Sequence, residues 1–129
     1  FGNFEVLKNG KALTFRRTRA KELLAILVDR NGAGISGKQI CSIMWADNTD
    51  DTKNMDYLRH LVGDLKKALA QVGAEEVLCQ EGYNYRVNTE KINCDYHKFL
   101  ETGTPQFHGE YMSQYSWAEE TLSLLLERN

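Results

Sequence analysis

Lys53, Asp56, His60, Gly63, Lys67 and Gln71 follow one another at steps of three or four residues, the spacing that aligns side chains along one face of an α-helix. Asp64 falls on the same face, and Tyr57 and Arg59 lie on its shoulders. Such a row of donors, acceptors and cations suits contact with base edges and phosphates, because a major groove admits one helix and presents complementary groups. It also suits an ordinary solvated helix face. Which of the two it serves depends on the neighbouring elements.

Behind that row, Leu58, Val62, Leu65 and Leu69 form an apolar stripe, with Leu61 and Val72 on its flank. The period is 3.6, and a long amphipathic helix is predicted over 52–72. Ahead of it, Ser36 and Gln39 carry the signature of a capping box. A second helix should therefore run from about Gly37 to Trp45, burying Ile40, Ile43 and Met44. Between the two lies the acidic connection Ala46–Asp51. Two helices in this relation, the second longer and polar-faced, make a helix-turn-helix candidate.

Earlier still, Arg16, Arg17, Arg19 and Lys21 crowd the first turn of a helix that carries Leu23, Leu24, Leu27 and Val28, with Thr18 as its expected N-cap and Asn31-Gly32 as its stop. Cations there oppose the helix dipole, which favours a phosphate-binding role for them. Phe4–Lys8 and Ala12–Phe15 flank Asn9-Gly10 as a hairpin. After Gly73, the segments Val77–Gln80 and Tyr83–Val87 flank Glu81-Gly82 as a second hairpin, with Tyr83 and Tyr85 expected to pack. In this position a hairpin is a wing.

The run Phe1–Val6, the helix Lys21–Leu27, Ile35-Ser36 with Trp45, the stretch Leu61–Leu69 and the segment Gly82–Val87 resemble, in order, the winged-helix DNA-binding domain of OmpR/PhoB-type response regulators, and more closely its variant in SARP-type transcriptional activators. The resemblance covers residues 1–88 and implies an α+β fold: a winged helix-turn-helix with an N-terminal β-hairpin and a C-terminal wing. It implies a bacterial transcriptional regulator, the effector part of a two-component response regulator, that binds double-stranded DNA in a sequence-specific way. The long helix would enter the major groove and the wing, 77–87, the minor groove. DNA contacts would fall to Arg16, Arg17, Arg19, Lys53, Tyr57, His60, Gly63, Asp64, Lys66, Lys67 and Arg86. A loop with Trp45, Asp47, Asn48, Asp50 and Asp51 would face RNA polymerase, and a receiver domain would precede residue 1.

Asp64 stands where these families often place an Arg on the long helix, and Glu81 where the wing often carries one. Each would repel phosphate, which predicts weak binding by one copy and useful binding by a homodimer on a repeated site. Residues 89–129 resemble the opening and close of an activator-type domain, as a short helical extension with a capped helix at Asn93–Leu100 and an amphipathic end carrying Leu122 and Leu124–Leu126.

Charge is divided along the chain: residues 1–88 hold 13 Lys and Arg against 11 Asp and Glu, and residues 89–129 hold 3 against 7. An acidic tail thus masks a mildly basic front. Cys41, Cys79 and Cys94 are too few and too scattered for a disulfide scaffold or a four-thiolate zinc site, and point to a reducing cytoplasm. Cys94 and His97 alone make no metal centre. No cofactor is expected, and the chain contains no P-loop, dinucleotide turn, nucleophile elbow or His-Glu-x-x-His motif to suggest an enzyme. No apolar run is long enough for a membrane span. The alternative to DNA binding is a protein-interaction module on the same scaffold, favoured by Asp56, Asp64 and Glu81.

Overall fold

In the computed structural model, residues 6–8, 11–46, 50–92, 100, 111–112 and 114–128 are described. The expected helix at Asn93–Leu100 (save Leu100), Cys94, His97, Asp47, Asn48 and the first five residues lie outside them. Among the described residues the fold is α+β, with four α-helices and a small three-stranded antiparallel sheet.

A short hairpin opens the described chain. Strands β1 (Leu7–Lys8) and β2 (Lys11–Ala12) pair Leu7 with Ala12 and Lys8 with Lys11. The Leu13 N–H extends the ladder by donating to the Val6 carbonyl at 2.9 Å. Helix α1 (Thr18–Asp29) follows, and its N-cap is Arg17 rather than the expected Thr18. Arg17 holds the extended backbone of a cap at φ −123° and ψ 133°, but no side chain caps the helix, because a guanidinium carries only donors and cannot accept from the helix N–H groups. Asn31, with φ of 51°, and Gly32, with φ of 90°, end the turn that follows, as the sequence predicts.

Strand β3 (Ile35–Ser36) runs directly into α2 (Gly37–Met44). Ser36 ends the strand and caps the helix: its Oγ accepts from the Gln39 N–H at 3.2 Å, and its own N–H donates to Gln39 Oε1 at 3.0 Å. Helix α3 (Asp51–Gln71) begins where Asp50 Oδ1 accepts from the Lys53 N–H at 3.2 Å, one residue ahead of the expected start. Strands β4 (Leu78–Glu81) and β5 (Asn84–Val87) then pair, with Glu81 opposite Asn84. That register puts the two-residue turn at Gly82-Tyr83 rather than Glu81-Gly82. Gly82 takes φ of 61° at the first turn position, where glycine avoids a steric penalty. The sheet order is β3-β5-β4, with Ile35 opposite Tyr85.

Helix α1 is apolar almost all round, and Ala20 and Leu23–Val28 are buried. A helix of that kind needs cover on more than one side. Leu58, Leu61, Leu65 and Leu69 of α3, Ile40 of α2, and Ile35, Tyr85 and Val87 of the sheet share one cluster with it. Tyr111, Met112, Ala118 and Leu125 join the same cluster, the last from α4 (Glu119–Arg128). Polar contacts also tie this tail to α1: Tyr111 Oη donates to Asp29 Oδ1 at 2.7 Å, and Trp117 Nε1 to Glu22 Oε2 at 3.0 Å.

The Ser36 cap serves the start of α2 and the end of β3 together. Ser36→Ala should cost ~1 kcal/mol of stability, seen in urea denaturation as a lower midpoint at unchanged slope.

Candidate nucleic-acid interface

The exposed face of α3 is rotated from the face expected. Besides the predicted stripe, Leu61 and Ala68 are buried, and so is Asp64 at 6% exposure. These three share one side of the helix, the side against α1. Arg17 Nη1 meets Asp64 Oδ2 there at 2.5 Å, with side-chain exposures of 34% and 5%. Asp64 is therefore not part of the outward row, and its charge is matched inside the protein. The physical reason is desolvation: a carboxylate packed between two helices is tolerated only when a cation or donor partners it.

Once the buried side is assigned, the solvent strip runs through Asp56, Arg59, His60, Gly63, Lys66, Lys67 and Ala70, at successive steps of three and one. Its centre is Gly63. A Cβ built there meets no atom within 4 Å, so the fold itself does not require glycine at this position. Arg59 lies in the strip although the sequence assigned it only to a shoulder. Including Leu61 and Ala68 in the apolar stripe would have found it. Arg59 also stands 3.6 Å from Asp56, an exposed pair that leaves both side chains largely in water.

Lys66 joins α3 to the β4–β5 hairpin. Its Nζ donates to Gln80 Oε1 at 3.0 Å, and Gln80 Nε2 donates onward to the Gly82 carbonyl at 3.1 Å. From the other side, the Gly37 N–H donates to the Tyr83 carbonyl at 2.8 Å. The hairpin is thus fixed to the start of α2 and to the C-terminal half of α3. Burial pushes the Tyr85 phenol above its ordinary pKa, and the nearby Arg59 charge acts in the opposite direction.

Alternation along β5 buries Tyr85 and Val87 and exposes Asn84 and Arg86. Gln80, opposite Tyr85, faces α3, so Arg86 lies on the outer face of the sheet, away from the α3 strip. Tyr85 packs as expected. Tyr83 does not: it occupies the turn and is 72% exposed. The one-residue shift of the turn accounts for the difference.

Two members of the basic cluster at the head of α1, Arg17 and Arg19, are engaged within the protein. Arg17 holds Asp64, while Arg19 donates to Glu22 Oε1 at 2.6 Å and to the Met44 carbonyl at 2.5 Å. The Arg19 guanidinium also sits 5.5 Å from the centre of the Trp45 ring. Arg16 remains exposed, as does Lys53 at the first turn of α3. Tyr57, 40% exposed, meets the half-buried Trp45 edge to face at 5.5 Å. In the acidic connection, Asp50 caps α3 and Asp51 begins it. Among the described residues no group of three or more His, Cys, Asp or Glu could hold a metal ion, and no helix is long and apolar enough to cross a membrane.

The chain matches no protein-family model, no curated protein and no solved structure.

Breaking a buried ion pair on one side costs ~3–5 kcal/mol, less here because Arg17 keeps a third of its side chain in water. Asp64→Ala should therefore destabilise the fold by about 2 kcal/mol, whereas an outward-facing Asp64 would give a change within ~0.5 kcal/mol. Chemical denaturation separates the two.

Proposed function

We propose that residues 1–88 form a winged-helix domain that reads double-stranded DNA, with α3 in the major groove and the β4–β5 hairpin as a wing in the minor groove. Further, we propose that the chain is the effector part of a cytoplasmic bacterial transcriptional regulator of the response-regulator type, working as a pair of copies on a repeated site. The acidic connection around Trp45, Asp47, Asn48, Asp50 and Asp51 would then meet RNA polymerase.

The observation that carries this reading is the strip on α3. A rigid helix held from behind presents Arg59, His60, Lys66 and Lys67 around a central glycine, with Asp56 the one carboxylate among its exposed members. Withdrawal of Asp64 removes one of the two electrostatic objections raised by the sequence, while Glu81 stays exposed on the hairpin. Arg59, His60 and Lys67 have the geometry for base edges or phosphates. Lys66 and Arg17 act by holding the wing and the helix in place. Arg16 and Lys53 sit at the margins, where phosphate contact is their natural role, whereas Arg86, on the outer face of the sheet, lies off this surface.

A protein partner remains the second reading because of one observation, the exposed Tyr83 beside Glu81 at the hairpin tip. Salt separates the readings. Neutralising about three phosphates gives a slope of roughly −3 in log affinity against log salt, while a mixed-sign protein contact responds far less.

Selection of duplexes from a random pool should enrich a short motif, read by fluorescence anisotropy with that slope. Lys67→Glu should abolish binding while the melting curve is retained; unchanged binding would remove α3 from the groove. Gly63→Ala should raise stability by ~1 kcal/mol yet weaken binding, because the new methyl lies where the helix backbone approaches its target. Equal or tighter binding by that variant would count against close approach at Gly63.

A further inference from the structure

Trp117 lies far along the chain from α2 and α3, yet a short series of contacts joins it to both. Its indole N–H donates to Glu22 Oε2 at 3.0 Å, and the other oxygen of that carboxylate takes Arg19 Nη1 at 2.6 Å. The opposite branch of the Arg19 guanidinium donates to the carbonyl of Met44, the last residue of α2. The same guanidinium lies 5.5 Å from the Trp45 ring centre, and Trp45 meets the edge of Tyr57 on α3. The indole plane is itself held, stacked on Tyr115 at 5.2 Å with the rings 10° apart.

Each contact here constrains the next. The Glu22 side chain is only 13% exposed, so both of its oxygens need donors from the protein. With Trp117 on one oxygen and Arg19 on the other, the plane of the carboxylate is set. A planar guanidinium that also meets a helix-end carbonyl then has one orientation. That carbonyl is one of those a helix leaves without an intrahelical partner. Covering the apolar side of α1 would need only residues such as Ala118 and Leu125. The charged link through Glu22 does something cover does not.

We propose that Trp117 is a positioning residue: through Glu22 and Arg19 it fixes the end of α2 and the Trp45–Tyr57 pair at the head of α3. The C-terminal extension thereby sets the surface that meets DNA without touching DNA itself. This last step rests on the DNA-binding reading above; the coupling to Trp45 does not.

The chain has two tryptophans, so a 15N-labelled sample gives two indole N–H signals, and Trp117→Phe deletes one and identifies the other as Trp45. Trp117→Phe keeps an aromatic ring in the core and removes the donor. It should move the Trp45 indole signal and the Tyr57 ring signals, with the melting curve still cooperative. Affinity for the selected duplex should fall roughly three- to tenfold. Arg19→Lys, which keeps the charge and loses the fork, should move the same signals, and the double variant should lose no more affinity than the weaker-binding single variant. Unmoved Trp45 and Tyr57 signals in Trp117→Phe would overturn the proposal, as would losses that add in the double variant. If the unaltered chain binds no duplex, the DNA reading fails, and the Trp45 and Tyr57 signals alone decide the role of Trp117.

Discussion

The pairing of Arg17 with Asp64 fixes the rotation of α3 about its own axis. A helix with an apolar stripe can turn by tens of degrees at modest cost, since neighbouring stripe residues exchange burial for exposure. A buried carboxylate cannot turn so freely, because leaving its cation exposes one charge and strands the other. Leu61 and Ala68 lie on the same side and are buried with Asp64. Apolar packing and ion pairing therefore agree on one rotation, and that rotation brings Arg59 and Gly63 to the front.

Two further ties hold the elements around that strip. Lys66 and Gln80 join α3 to the β4–β5 hairpin, while the Gly37 N–H joins the hairpin tip to α2. At the head of α3, Arg19 joins α1 to the end of α2 and to Trp45. These are polar links between elements that already share an apolar core, so their contribution is less to gross stability than to relative placement. A reading surface built from a helix and a hairpin needs that placement, since misalignment of either would cost contacts on both.

Local signals in the chain were legible because the physics behind them is local. Ser36 and Gln39 announced their capping box three residues apart, and Leu58, Val62, Leu65 and Leu69 announced α3 by period. What stayed hidden came from distant partners. Ile35-Ser36 becomes a strand only by pairing with Asn84 and Tyr85, and Arg17 gives up a surface role only because Asp64 lies against it. Thr18 looked like the better cap because cap preference knows nothing of that pair. The sequence alone puts Tyr83 in a strand because either of two adjacent dipeptides can hold the turn, and only the ladder decides between them. Of the candidate site, the long helix and His60, Gly63 and Lys67 were legible; Arg59, the withdrawal of Asp64 and the tie from Trp117 to Glu22 were not.

The most direct test of the α3 strip as the DNA-reading surface is titration of the 15N-labelled protein with a selected duplex, following backbone amides. The account predicts the largest shifts at Arg59, His60, Gly63 and Lys67, smaller ones at Gly82 and Tyr83, and little change along the tail-covered side of α1. Shifts centred on α4 or on the outer face of β4 and β5, with the amides from Arg59 to Lys67 unmoved, would contradict it.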